Sequence, residues 1–75
     1  MNRCDLVVHV DEMLEHGQQE SLKGSLQNLP GVTSAHFSQK HPHLMTIAYD
    51  CERMEVGSIL DSIAARGWHA QAVGM

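Results

Sequence analysis

Leu29-Pro30-Gly31-Val32 is the stretch on which the reading of this chain turns. Pro30 cannot continue a helix, because its ring removes the amide donor and clashes with the preceding turn. Gly31 then lets the chain turn away. Upstream, from Gln18 to Asn28, Leu22, Leu26 and Leu29 recur at i, i+4 and i+7, the apolar stripe of a helix. Ser21 and Ser25 precede two of those leucines and would allow close approach to a sheet, while Gly24 costs the helix about 1 kcal/mol relative to Ala. Downstream, Val32, Ala35 and Phe37 mark a strand over Thr33 to Gln39. Lys40-His41-Pro42-His43 reads as a turn. Met45, Ile47 and Tyr49 alternate with Leu44, Thr46 and Ala48, so a third strand pairs with the second as a hairpin with a polar tip.

Working outward, Leu6, Val8 and Val10 alternate with Val7, His9 and Asp11, the pattern of a half-buried strand with His9 facing out. Asp11 to Gly17 reads as a polar loop. Val56, Ile59, Leu60, Ile63 and Ala64 form a second helical stripe starting near Glu55. Gly67 ends it after Arg66, whose charge suits the negative end of the helix dipole. His69 to Val73 reads as a short last strand. The order β-α-β-β-α-β predicts an α+β fold, the ferredoxin-like βαββαβ two-layer sandwich. Its antiparallel sheet has strand order 4-1-3-2, and residues 1–75 form a single domain.

Composition narrows the function. At 75 residues a domain buries only about 60–65% of its unfolded surface. With one Phe, one Tyr and one Trp, aliphatic side chains must fill the core. No segment approaches the ~20 apolar residues that span a bilayer, so no membrane insertion is expected. Met1-Asn2-Arg3-Cys4-Asp5 has no apolar leader region, and the default expectation is a cytoplasmic address. The net charge of −4 and the lack of a basic patch argue against nucleic acid. The outward positions Val7, His9, Thr46 and Ala48 also lack stacking aromatics. No enzyme signature emerges: there is no nucleophile with a placed base, no Gly-rich phosphate loop and no scaffolded carboxylate pair. The six His stand out, since imidazole is a common metal ligand.

Several residues taken together resemble heavy-metal-associated (HMA) domains. These are Leu29-Pro30-Gly31-Val32 after an amphipathic helix, Ile47-x-Tyr49-Asp50 closing the third strand, Ile59-x-x-x-Ile63 on the second helix, and Gly67-Trp68-x-Ala70 at its exit. Trp68 takes the aromatic place that the family usually fills after that glycine. The resemblance runs from about Leu6 to Gly74. It implies a metal-trafficking domain in which two Cys hold Cu(I), Zn(II) or a similar ion and pass it on by ligand exchange. Counted back from the Pro-Gly turn, those two Cys fall on Glu15 and Gln18. The family's Met falls on Met13, which the resemblance would pack inward, and its preceding Gly is Glu12 here. Soft thiolates select Cu(I), whereas carboxylate and amide oxygens do not. A thiolate Cu(I) chaperone working through this loop is therefore disfavoured.

Two groups of residues are the candidate ligands. The loop offers Glu15 and His16 with Asp11 and Glu12 nearby, a set suited to Zn(II), Ni(II) or Mn(II). Its alternative is an acidic segment that favours the helix N-terminus without any metal. The open sheet face offers His9 and His69. If the first and fourth strands place them opposite each other, their Cβ atoms lie ~4.5–5.5 Å apart. They could then share Zn(II), Ni(II) or Cu(II), or one could take an axial haem position, with Trp68 and Asp11 close by. The alternative is two solvated His. His41 and His43 at the hairpin tip, with His36 upstream, read as incidental, though His41 and His43 could take up metal from solution.

Cys4 precedes the first strand and Cys51 follows the third. Reading those strands as parallel neighbours puts the thiols at opposite ends of the sheet, too far apart for a disulfide. Two function classes remain. One is a metal-handling domain with His and carboxylate ligands, serving a metal-transport or metalloenzyme-assembly partner. The other is a metal-free interaction or regulatory module, with homodimer formation open to it, whose sheet face carries Val7, Leu44, Ala48 and Val73.

Overall fold

The computed structural model describes residues 3–73. Met1, Asn2, Gly74 and Met75, and with them the far end of the family resemblance, lie outside the described residues. Six elements follow in the expected order: β1 (Arg3–Val10), α1 (His16–Gln27), β2 (Val32–Phe37), β3 (Leu44–Asp50), α2 (Val56–Ala64) and β4 (Ala70–Val73). The four strands form one antiparallel sheet in the order β2-β3-β1-β4, the ferredoxin-like arrangement. Among the described residues no helix is long and apolar enough to cross a membrane.

The core is aliphatic, as the scarcity of aromatics requires. Leu6, Val8 and Val10 of β1, Met45 and Ile47 of β3, Leu22 and Leu26 of α1, and Ile59 and Ile63 of α2 are fully enclosed. Tyr49 joins them from β3 and Ala35 from β2. β1 and β3 contribute alternate residues and each helix a pair at i, i+4, so the two periodicities meet across one interface. Leu14 is also enclosed, although its surroundings read as a polar loop. Ala48 is buried rather than exposed, a small side chain flanked on its strand neighbours by Asp5 and Ser34.

The Pro30-Gly31 turn is tightly specified. Gly31 has φ 94, a region that costs a residue with a Cβ roughly 1–2 kcal/mol. A Cβ there would also lie 3.1 Å from Met54 Cβ and 3.2 Å from Arg53 Cβ. The Gly31 carbonyl accepts the Asp50 amide at 2.7 Å, which ties the turn to the end of β3. On the opposite side of the layer, Arg66 donates to the hydroxyls of Ser21, at 3.1 Å, and Ser25. Its guanidinium also lies 6.0 Å from the Trp68 ring centroid, a cation–π contact. Ser21 and Ser25 thus join α1 to the exit of α2 rather than easing α1 onto the sheet.

The cysteines overturn the expectation from sequence. β1 and β3 run antiparallel, with Cys4 opposite Tyr49 and Arg3 opposite Asp50. The crossover through α1 makes β1 parallel to β2, and the hairpin reverses the chain once more, so β3 opposes β1. Cys4 and Cys51 therefore meet at the same end of the sheet. They form a disulfide with Cα atoms 5.8 Å apart, across a sequence separation of 47.

Two outcomes are expected. Gly31→Ala should lower the urea midpoint by a stability loss of at least about 1–2 kcal/mol. Reduction with a strong thiol, or Cys4→Ser with Cys51→Ser, should cost about 2–4 kcal/mol because the unfolded chain regains the freedom of a long loop. Equal urea midpoints for oxidised and reduced protein would speak against the second.

Candidate functional site

The chain leaves β1 at Val10 and enters α1 at His16, so the loop between them is shorter than the sequence implied. Its apolar anchor is Leu14, not Met13. Leu14 is enclosed against the core, whereas Met13 is 68% exposed, contrary to its expected inward packing. A single inward position serves this short loop, and the neighbouring residue must then face solvent. Glu15 holds the N-cap position with extended backbone. The Gln18 side-chain oxygen accepts the Glu15 amide at 2.9 Å, which satisfies a donor at the helix start. Glu15 and Gln18, the two positions on which the resemblance would place thiols, are thus occupied by helix-capping chemistry. His16 belongs to the helix rather than to the loop. It faces Glu20 one turn on, at 3.8 Å, a distance typical of a weak exposed i,i+4 pair.

Glu12 clasps His69 at the entry to β4. One carboxylate oxygen accepts the His69 amide at 2.7 Å and the other meets His69 Nδ1 at 2.6 Å. The Asp11 amide donates to the His69 carbonyl at 2.8 Å. These side-chain hydrogen bonds hold the Glu12 carboxyl below its ordinary value of 4.5 and raise His69 above its ordinary 6.5.

The expected opposition of His9 and His69 does not occur. Val10 lies opposite Ala70 and His9 opposite Gln71, so His69 sits two residues off, beside Asp11. A shift of two leaves both His on the same face, because side chains alternate with period two, but it moves them to a diagonal relation. The neighbour of His9 is instead His43, which the sequence marked as incidental. Their ring centroids are 5.4 Å apart and their planes 16° from parallel. β1 and β3 pair through His9 and Leu44, which brings the residue just before β3 alongside His9. His43 Nδ1 lies 2.8 Å from the Val10 carbonyl oxygen, and the His43 carbonyl accepts the Val10 amide at 2.8 Å. His9 Nδ1 lies 3.2 Å from the Asp11 carboxylate.

Of the remaining His, His41 is exposed and its amide donates to Ser38 Oγ at 3.2 Å. His36 and His16 line a groove of about 450 Å³ between α1 and β2. Trp68 packs against the core edge under Arg66. Glu15 and His16 are not joined by a third donor. Among the described residues no group of three or more His, Cys, Asp or Glu side chains is placed to hold a metal ion. Cys4 and Cys51 are bonded to each other. The donors present therefore do not fit a thiolate-held Cu(I).

No protein-family model matches the chain, and no curated protein matches it significantly in sequence. Solved structures do match in fold. Oxidized MerP from Ralstonia metallidurans CH34 superimposes with TM-score 0.85 at 12% identity, covering 96% of this chain and 99% of that one. A copper binding domain from HMA7, a P-type ATPase, gives 0.83 at 20% identity, covering 93% of each. The CopZ metallochaperone gives 0.82 at 22% identity, covering 91% of this chain and 100% of that one. The ferredoxin-like fold expected from the sequence is thus shared with these proteins.

The Glu12–His69 clasp should be visible in pH titration. The depressed Glu12 contributes stability above 4.5 that is lost as pH falls through its lower folded value. The raised His69 contributes stability below 6.5 that is lost as pH rises through its higher folded value. Both are charged together between those limits, where the clasp is strongest, although solvent screens a surface pair. In an NMR titration His69 should titrate above 6.5 in the wild type and shift back toward it in Glu12→Gln. An unchanged midpoint in that variant would count against the clasp.

Proposed function

We propose that the chain is a small metal-handling domain whose ligands are imidazole and carboxylate groups, not a thiolate Cu(I) chaperone. The observation that carries this reading is the donor set at the surface. The thiols are consumed in a disulfide, while His9, His43 and His69 each have Nδ1 at a carboxylate or carbonyl acceptor. Metal-binding His commonly donate their second ring N–H to such acceptors, which fixes tautomer and orientation. Imidazole suits Zn(II), Ni(II) and Cu(II). The fold is shared with a copper binding domain of a P-type ATPase and with a metallochaperone. That likeness supports a metal-transport or metalloenzyme-assembly protein as partner. The disulfide bears on the address: such bonds persist in oxidising compartments and are rare where glutathione keeps thiols reduced. It favours an oxidising compartment over the cytoplasmic default.

A metal-free interaction or regulatory module, with a homodimer among its forms, is the second reading. It is favoured by the exposed Met13 and Val73, apolar side chains available to a partner.

The discriminating experiment uses untagged protein. Its metal content is measured after purification, and Zn(II), Ni(II), Cu(II) and haem are then titrated into it. The expected result is uptake of a divalent ion by calorimetry, with a haem Soret shift as a separate arm. No binding tighter than about 100 μM, roughly 5.5 kcal/mol, would remove the metal-handling reading and leave the interaction module.

A further inference from the structure

Resting on the imidazole reading above, we infer that His9 and His43 form a two-imidazole site for a borderline divalent ion on the open face of the sheet. Neither the HMA resemblance nor the loop that matches the family's metal motif points to this pair.

The argument begins with tautomers. The Val10 carbonyl can only accept a hydrogen bond, so His43 Nδ1, 2.8 Å away, carries the proton. The Asp11 carboxylate likewise takes its bond from His9 Nδ1, at 3.2 Å. In each neutral ring Nε2 then bears the lone pair. Both rings are half-exposed, so an ion can reach them from solvent. They also sit on well-held backbone, since His9 lies in the central strand β1 and His43 is bonded to Val10 through both its ring and its carbonyl. His69 is engaged by Glu12 at two atoms and lies on the diagonal, which removes it as the partner of His9.

Nearly parallel rings, 16° apart, do not direct both in-plane lone pairs at one point. One ring must turn, and the χ2 torsion of His is broad and soft. His9 is the ring that turns. Its acceptor, Asp11, is itself a half-exposed side chain that can follow, whereas His43 is held by backbone. Water completes the coordination, because the pair supplies only two donors. Nitrogen donors and this open geometry favour Cu(II) first in the divalent series, then Ni(II) and Zn(II). Asp11 acts as a positioning residue: it holds the His9 ring through Nδ1, 3.2 Å away, without touching the ion.

The test is titration of Cu(II) and Zn(II) into untagged wild type and into His9→Ala, His43→Ala, His69→Ala, His41→Ala and His16→Ala, with circular dichroism as a check on folding. His9→Ala and His43→Ala should each weaken binding by at least about tenfold, and Asp11→Ala by roughly the same factor, as loss of an outer partner does. The other three variants should bind as the wild type does. Electron paramagnetic resonance of Cu(II) on the wild type should count two imidazole nitrogens, a readout independent of any variant's folding. Undiminished binding in the His9→Ala/His43→Ala double variant, or a single coordinated nitrogen in the wild type, overturns this site while leaving metal handling intact. A wild type that binds neither ion removes the imidazole reading as well.

Discussion

The antiparallel ladder between β1 and β3 is the constraint on which the rest of the structure depends. It runs unbroken from Arg3 opposite Asp50 to His9 opposite Leu44. Along its inner face Leu6, Val8 and Val10 lie beside Met45, Ile47 and Tyr49, forming the floor on which Leu22, Leu26, Ile59 and Ile63 pack. At one end it delivers Cys4 to Cys51, and at the other it delivers His9 to His43. One register thus sets the core, the covalent cross-link and the imidazole pair. A slip by a single residue would turn every core side chain of β1 to solvent, so the hydrophobic effect enforces the same register that the chemistry uses.

A chain of 75 residues has little core from which to draw stability. The disulfide compensates by restricting the unfolded chain rather than by adding contacts. It also changes what the molecule can bind. Sulfur committed to a structural bond is not a thiolate, and Glu15 and Gln18 are spent on starting α1. The neighbouring loop is anchored inward by Leu14 and clasped to β4 through Glu12 and His69. Glu12, Leu14, Glu15 and Gln18 therefore each have a structural use. The fold survives at 12–22% identity to its structural neighbours because apolar volume at alternating and i, i+4 positions suffices for this packing.

Much of the architecture was legible in the chain. The leucine stripe at 22, 26 and 29, the Pro30-Gly31 stop and the alternating hairpin strands place five of the six elements within a residue or two. The first helix started two residues earlier than the loop composition implied, because Gln18 caps it locally and the burial of Leu14 is decided by tertiary fit. The candidate site was legible only in part. His9 was rightly placed on the open face, but its neighbour was not His69, and His43 was read only as part of an incidental histidine cluster at the hairpin tip.

The sequence by itself determined the element order, the fold class, the inward and outward faces of each strand and the absence of thiols from the loop. Those properties follow from local propensity and from periods of 3.6 and 2 residues, which any window of the chain displays. Only the tertiary structure decided which residues meet: Cys4 with Cys51, His9 with His43, Glu12 with His69. The physical reason is the period of the strand. Alternation forbids a slip of one residue but is blind to a slip of two, since both keep the same faces inward. The identity of a cross-strand neighbour is settled by turn geometry, capping and cross-strand packing acting together, which no single stretch of the chain contains.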